Sequence, residues 1–171
     1  MYNRGFGRGY FHIDVDFVAA RLQMPPEEGL EIIAINDLNP INTSAFLLEY
    51  DTNHGHIGCD VRYDEDNITL NQHSLSYSSI SNLADLNWES KGVDVVFECT
   101  GKFSSAEKAK LHLKGGAKKV IVSAPSTGSD ITVVYGVNHM KLLPEHNIIS
   151  AASCTTNCLA PVIAVLEKVC G

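Results

Sequence analysis

The sequence predicts an α/β fold in which a parallel sheet is wrapped by helices. Two observations support this prediction. First, near-continuous apolar runs of strand length, which are typical of buried parallel strands, occur at residues 31–36, 93–98 and 119–123. Second, stretches with helical periodicity separate these runs, as in β-α-β units. Because crossovers between parallel strands are right-handed, ligands of such a sheet are expected at the carboxyl ends of its strands.

Length and composition describe an ordinary globular chain. The 171 residues are enough for one domain, or for one domain and the start of another. Hydrophobic residues make up 44% and charged residues 19% of the chain. The net charge of −7 argues against a non-specific nucleic-acid binder, which would need a basic face. No apolar run approaches the ~18 residues that a membrane span requires.

The N-terminus and the cysteines predict a cytoplasmic location. The first nine residues are polar and rich in glycine, so they contain no apolar signal core. The five cysteines show no C-x-x-C spacing, which argues against a zinc site and against a disulfide framework. Reduced thiols in a cytosolic protein fit this pattern best, and no metal site is predicted.

The first β-α unit carries an imperfect dinucleotide fingerprint. Gly5 and Gly7 fit the first two positions of G-x-G-x-x-G, whereas Tyr10 stands where the third glycine is expected. Only four residues precede this motif as a possible strand. Residues 11–17 alternate like a strand, and a short helical pattern follows at 18–22. The alternative is a flexible glycine-rich terminus without a phosphate-binding role.

An acidic residue follows the next predicted strand. Residues 31–36 form an apolar strand, and Asp37 ends it. A carboxylate at this place in a dinucleotide-binding fold accepts hydrogen bonds from the adenosine ribose hydroxyls and repels a 2′-phosphate, so it selects NAD over NADP. The alternative is that Asp37 only caps the helix predicted at 39–50.

The middle of the chain predicts further strands and one well-delimited helix. Strands are expected at 57–63, 68–70, 75–77, 93–98, 119–123, 131–137 and 148–151. Ser104 and Glu107 have the spacing of a capping box, and the helix after them is expected at 106–114. Gly115 and the glycine after it predict its C-terminal end.

Cys154 is expected where the last strand meets the last helix. One helical face contains the apolar residues Leu159, Val162, Ile163, Leu166 and Val169. Pro161 predicts that this helix starts near Asn157 or kinks at the proline. A cysteine at a helix N-terminus feels the dipole and free N–H groups, which favour the nucleophilic thiolate. The alternative is an inert, buried cysteine.

The segment from Ser153 to Pro161 resembles the active-site segment of the phosphorylating glyceraldehyde-3-phosphate dehydrogenase family. Six further blocks match family segments in family order, namely residues 34–37, 50–55, 98–101, 112–120, 123–125 and 135–139. The sequence of residues 132–138 also resembles that of the sister enzymes that oxidise erythrose 4-phosphate.

The resemblance implies a domain organisation and a set of site residues. It implies a Rossmann-type NAD-binding domain at 1–151 and the start of a catalytic domain at 152–171. Cys154 would be the nucleophile, and Ser153 and Thr155 would contact the phosphate that attacks the thioester. The implied cofactor contacts are Gly7, Arg8, Gly9, Asp37, Thr100, Gly101 and Ser123.

The resemblance also implies an activity. NAD-dependent oxidation of glyceraldehyde 3-phosphate, a sugar-phosphate aldehyde, with inorganic phosphate would give 1,3-bisphosphoglycerate in glycolysis, and a full-length member would be a homotetramer. The family's histidine base lies beyond Gly171, so the chain is expected to be about half of such an enzyme and inactive alone. Two alternatives remain: the erythrose 4-phosphate activity, and a non-catalytic NAD-binding or interaction module, which the shifted glycines and Ala151, an asparagine in most relatives, favour.

Overall fold

A computed structural model describes residues 31–51 and 55–170 of the chain. The predicted glycine loop with Gly7, Arg8 and Gly9 therefore lies outside the described residues, as do the patterns at 11–22. The chain divides into two compact units between Asn82 and Leu83. The predicted start of a catalytic domain at residue 152 stays a prediction.

The first unit contains one helix and a mixed sheet. Its elements are β1 (Ala34–Asn36), α1 (Ile41–Glu49), β2 (Tyr50–Asp51), β3 (Gly55–His56), β4 (Val61–Tyr63), β5 (Asn67–Leu70) and β6 (His73–Ser78). The four-stranded sheet has the order β1-β6-β5-β4, and β1 runs parallel to β6. The other two pairs are antiparallel because short turns join those strands. β2 and β3 pair separately as an antiparallel ribbon.

The core of the first unit forms between α1 and the four-stranded sheet. Leu48 of α1 and Ile68 of β5 are almost completely buried and belong to one apolar cluster. The Tyr77 hydroxyl donates to the Asn39 carbonyl at 2.7 Å, which ties β6 to the loop between β1 and α1. This packing fixes the loop that carries Asp37.

The second unit contains the parallel sheet that the sequence predicts. Its elements are β7 (Val95–Glu98), α2 (Ala106–Lys114), β8 (Lys119–Val122), β9 (Ile131–Thr132), β10 (Ile148–Ser150) and α3 (Cys154–Cys170). The strand order is β7-β8-β10-β9, and every pair is parallel. Val120, Val122 and Ile148 pack with alanines of α2 to form its core. The α/β fold class is thus confirmed.

The predicted strand at 131–137 is wrong in its length, because β9 ends at Thr132. The side chain of Asn138 explains the early end. Its Oδ1 accepts the Val134 N–H at 2.7 Å, and its Nδ2 donates to the Thr132 carbonyl at 2.9 Å. These bonds fold residues 132–138 into a turn that competes with strand pairing.

Two predicted helix starts also differ from the structure. The N-cap of α2 is Ser105 and makes no side-chain capping bond, so the capping box predicted at Ser104 is wrong. The last helix starts at Cys154 and continues through Pro161, so the later start near Asn157 is wrong. The Ser153 Oγ accepts the Thr156 N–H at 3.0 Å, and this cap allows the earlier start.

The apolar face predicted for the last helix is present on α3 and faces solvent. Leu159, Val162, Ile163, Leu166 and Val169 are all more than half exposed. A continuous exposed apolar stripe of this kind is unusual for a monomer and marks an interaction surface. None of the helices within the described ranges is long and apolar enough to cross a membrane.

Asp130 joins the start of β9 to β10 and is expected to make the second unit sensitive to acid. Its Oδ2 accepts the N–H groups of Ile148 at 2.8 Å and Asn147 at 2.7 Å. Mainly the Ile148 bond, with a further contribution from Asn147, holds the pKa of Asp130 below its ordinary value of 3.8. A depressed folded-state pKa gives stability that is present above the unfolded pKa and is lost as the pH falls through the folded pKa.

We therefore expect Asp130→Asn to destabilise the chain at neutral pH and to have little effect at strongly acidic pH. Because Asp130 is exposed, solvent screening limits the loss to about 1 kcal/mol or less. Urea unfolding of both chains at several pH values measures this difference. A loss that is the same at every pH would contradict the assignment of the effect to the ionised carboxylate.

Candidate active site

Three adjacent strand ends bring most of the predicted site residues to one edge of the second unit. In the sheet register, Glu98 at the end of β7 pairs with Val122 of β8, and Val122 pairs with Ser150 of β10. The segments that follow these strands begin with 99–101, 123–125 and 151–154. Two bonds hold the segments side by side, from the Ser123 N–H to the Glu98 carbonyl at 3.1 Å and from the Ala151 N–H to the Val122 carbonyl at 2.9 Å.

Cys154 is the first residue of α3, and its side chain is exposed. A small polar cluster surrounds it. The Ser153 hydroxyl lies 2.7 Å from the Thr156 hydroxyl and 3.1 Å from the Thr155 hydroxyl. The side-chain amide of Asn157 donates to the carbonyls of Ala151 and Ser153 at 2.8 and 2.9 Å, which fixes the turn before the helix. The cysteine is therefore presented to solvent by a rigid, hydroxyl-rich turn.

The first turn of α3 offers backbone donors beside the sulfur. The Thr156 N–H is capped by Ser153, and the Asn157 N–H bonds to the Ser153 carbonyl. Within the described residues, the N–H groups of Cys154 and Thr155 have no hydrogen-bond acceptor. Uncapped donors at a helix N-terminus attract negative charge, such as an oxyanion.

Ser150 and Ala152 shape the turn that delivers the cysteine. Ser150 is completely buried, and its hydroxyl donates to the Ala124 carbonyl at 2.8 Å and accepts the Ala152 N–H at 3.1 Å. Ala152 has a φ of +63°, a left-handed conformation that costs a residue with a Cβ about 1 kcal/mol. The sequence analysis did not find either residue. The buried serine, an unusual residue at the end of an apolar strand, was the available signal.

The turn after β7 contains the predicted cofactor contacts Thr100 and Gly101. The N–H and hydroxyl of Thr100 both donate to Glu98 Oε1, and the Thr100 hydroxyl accepts the Lys102 N–H at 3.0 Å. Gly101 is exposed and has a φ of +72°, and no atom lies within 4 Å of where its Cβ would be. Open space next to a glycine backbone allows a ligand to approach closely.

A buried polar network supports this turn from inside the unit. Glu98, His112 and Trp88 are all at most 5% exposed. His112 Nε2 lies 2.9 Å from Glu98 Oε2, and the Trp88 indole N–H donates to His112 Nδ1 at 3.1 Å. The sequence analysis assigned no role to these side chains, although a glutamate that closes an apolar strand was a usable signal.

Asp37 belongs to the first unit, directly after β1. Its side chain is 2% exposed, and its Oδ1 accepts the Asn39 N–H at 2.9 Å. The N-cap of α1 is Pro40, so the alternative that Asp37 only caps this helix is wrong. The carboxylate instead organises the turn between β1 and α1, at the carboxyl end of a strand that is parallel to its neighbour.

All five cysteines are free thiols. In residues 31–51 and 55–170, no group of three or more histidine, cysteine or acidic side chains is arranged to hold a metal ion.

Comparison with known proteins places the chain in a family. Residues 5–106 match the family model described as glyceraldehyde 3-phosphate dehydrogenase, NAD binding domain. The glyceraldehyde-3-phosphate dehydrogenase of Xanthobacter flavus is 49% identical over 142 residues, which are 83% of this chain and 42% of that protein. The plasmid-encoded enzyme of Cupriavidus necator is 48% identical over 165 residues, or 95% of this chain and 49% of that protein.

A third relative shows a similar identity. The glyceraldehyde-3-phosphate dehydrogenase of Thermotoga maritima is 47% identical over 139 residues, which are 81% of this chain and 42% of that protein. The chain thus spans about half the length of the curated relatives it matches. The family description names NAD, which agrees with the cofactor predicted from the sequence. The family resemblance seen in the sequence is confirmed: the chain belongs to the glyceraldehyde 3-phosphate dehydrogenase family, through its NAD-binding domain.

Proposed function

We propose that this chain is the NAD-binding part, with the nucleophile segment, of an NAD-dependent phosphorylating glyceraldehyde-3-phosphate dehydrogenase. One observation carries the proposal. Thr100 and Gly101, Ser123, and Cys154 follow three neighbouring parallel strands at the same edge of one sheet. Ligands of parallel α/β sheets bind at this edge, so cofactor and thiol would meet there.

The residues at this edge fit a dinucleotide. Gly101 and Ser123 are exposed, and the space next to the Gly101 backbone is open. The residues that would hold the cofactor are those implied by the family: Gly7, Arg8, Gly9, Asp37, Thr100, Gly101 and Ser123. When bound, NAD supplies the hydride acceptor for aldehyde oxidation.

Cys154 would act as the nucleophile. Its thiolate adds to the aldehyde carbon, forming a carbon–sulfur bond and an alkoxide on the former carbonyl oxygen. The uncapped N–H groups of Cys154 and Thr155 would donate hydrogen bonds to this oxyanion. After oxidation to a thioester, phosphate oxygen attacks the acyl carbon, the carbon–sulfur bond breaks, and the thiolate is released with an acyl phosphate as product.

The hydroxyl cluster around the cysteine would receive the attacking phosphate. Ser153 and Thr155 place two hydroxyls 3.1 Å apart next to Cys154, on the exposed first turn of α3. A helix N-terminus that carries additional hydroxyl donors suits a phosphate dianion. These residues would therefore orient phosphate toward the thioester carbon.

The relatives support glyceraldehyde 3-phosphate rather than erythrose 4-phosphate as the substrate, since the matched proteins carry the name glyceraldehyde-3-phosphate dehydrogenase. A boundary between an NAD-binding domain at 1–151 and a catalytic domain that begins at 152 stays a prediction from the resemblance. The homotetramer and the cytoplasmic location stay predictions from the resemblance.

Replacement of the acidic residue after β1 tests the cofactor part of the proposal. Asp37→Asn retains an oxygen for the Asn39 N–H but removes the charge. We expect NAD affinity to fall about tenfold and the preference for NAD over NADP to disappear, because ribose hydroxyls lose a charged acceptor and the 2′-phosphate loses a repelling neighbour. Calorimetric titration of both dinucleotides measures this.

The matched control is Asp66→Asn, which removes an exposed carboxylate from the same unit. It should leave both affinities unchanged. Equal behaviour of the two folded variants, or an unchanged dinucleotide preference in Asp37→Asn, would contradict the ribose-binding role.

A further inference from the structure

We propose that Trp88, His112 and Glu98 are positioning residues for the cofactor, which hold the Thr100–Lys102 turn through a one-way chain of hydrogen bonds. The inference rests on the proposed NAD-binding function. It assigns a role to three side chains that are at most 5% exposed and that are joined to one another by hydrogen bonds.

The direction of this series of hydrogen bonds follows from the donors available. An indole nitrogen can only donate, so His112 Nδ1 must accept from Trp88 at 3.1 Å. The ring proton therefore resides on Nε2, which donates to Glu98 Oε2 at 2.9 Å. The second carboxylate oxygen, Oε1, is thereby left to accept from the turn.

The turn completes the chain. The Thr100 N–H donates to Glu98 Oε1 at 2.9 Å, and the Thr100 hydroxyl donates to the same oxygen. Because that hydroxyl proton is committed to Glu98, the hydroxyl oxygen can accept the Lys102 N–H at 3.0 Å. The Thr100 amide thus bonds to the buried carboxylate directly, the Lys102 amide is linked to it through the Thr100 hydroxyl, and the open face of Gly101 is left for the ligand.

Contacts with Gly115, at the C-terminal end of α2, fix the position of Trp88. A Cβ on Gly115 would lie 2.5 Å from the Leu86 carbonyl oxygen and 3.1 Å from the Trp88 ring. The Gly115 carbonyl also accepts the Trp88 N–H at 2.7 Å. The glycine therefore allows the indole to approach His112, in addition to ending the helix.

Glu98→Gln tests the direction of these hydrogen bonds, because the glutamine side chain has almost the same shape as the glutamate. In either orientation, the new amide group places its NH₂ against another donor, which is the His112 Nε2–H or the Thr100 N–H. A buried donor without an acceptor destabilises the arrangement, so we expect the Thr100 amide to exchange with solvent about tenfold faster and NAD to bind about tenfold more weakly.

Trp88→Phe supplies the rescue. Without the indole donor, the His112 proton can move to Nδ1, where a water in the space left by the smaller ring can accept it, and Nε2 can then accept from the new amide. We expect Trp88→Phe/Glu98→Gln to recover Thr100 protection and NAD affinity to within about twofold of the parent, although two residues have changed. If Trp88→Phe acted only through lost packing, the double variant would protect Thr100 less and bind NAD more weakly than Glu98→Gln alone.

Hydrogen exchange of the ¹⁵N-labelled full chain and calorimetry with NAD provide the two readings. Unchanged exchange in folded Glu98→Gln, or a folded double variant no better than Glu98→Gln, would overturn the inference. If Glu98→Gln does not fold, Thr100→Val replaces it. We then expect the Lys102 backbone amide to exchange with solvent about tenfold faster, because it loses its acceptor. The control is Thr132→Val, at an exposed threonine of β9, which should leave exchange of the Lys102 amide unchanged. Equal exchange at Lys102 in these two variants would overturn the inference.

Failure of the proposed function gives a different pattern. If the parent protein does not bind NAD, the proposed NAD-binding function is wrong. Hydrogen exchange alone then decides whether these hydrogen bonds hold the turn.

Discussion

The purified 171-residue chain is expected to form no NADH above background from glyceraldehyde 3-phosphate, phosphate and NAD. The thiolate needs a proton acceptor, and no base is hydrogen-bonded to Cys154 within the described residues. His112 uses both ring nitrogens in the buried network. His139 and His146 each accept a backbone N–H of their own loop on Nδ1.

A spectrophotometric assay for NADH measures this expectation, with Cys154→Ala as the reference for background. The parent and the variant should give the same rate. A robust rate that Cys154→Ala abolishes would contradict the expectation, because it would require a base that the described residues do not place beside the sulfur.

Gly101→Ala is expected to weaken NAD binding by about tenfold or more, which corresponds to at least about 1.4 kcal/mol. The new methyl group meets no protein atom within 4 Å, so it does not clash inside the chain. It instead occupies the open space where the cofactor is proposed to approach the backbone. A second cost is local, because φ at this position is +72°, where a residue with a Cβ loses about 1 kcal/mol.

Gly92→Ala is a closely matched control for that local cost. Gly92 lies in the same unit, has a φ of +71°, and also has no atom within 4 Å of its Cβ position. The two variants should lose similar stability on thermal unfolding, and only Gly101→Ala should lose NAD affinity. Equal NAD affinities in the two folded variants would contradict a cofactor contact at Gly101.

The elements best predicted from the sequence are those whose boundaries have a local cause. The helix at 106–114 is observed with the predicted bounds because Gly115 ends it, and strands β7 and β8 lie within the near-continuous apolar runs at 93–98 and 119–123. The junction at Cys154 follows in the same way from an apolar strand that is succeeded by a helical pattern. The position of Cys154 at the carboxyl ends of the strands could therefore be predicted from periodicity and topology.

The remaining features depend on side chains that meet only in the folded chain. The short β9 results from two hydrogen bonds of Asn138, a residue that periodicity treats simply as polar. His112 occupies the last turn of a helix, where a histidine is favourable for the dipole alone, so its bonds to Glu98 and Trp88 leave no sequence signature. The left-handed Ala152 is equally hidden, because alanine rarely adopts that conformation.

Mapping of NAD onto the ¹⁵N-labelled chain by NMR tests the central claim most directly. If cofactor and thiol share the edge formed by β7, β8 and β10, titration with NAD should shift the amide signals of Gly101, Ser123 and Cys154 together, with one dissociation constant. Shifts confined to other parts of the second unit, with these three signals unmoved at saturation, would contradict the claim.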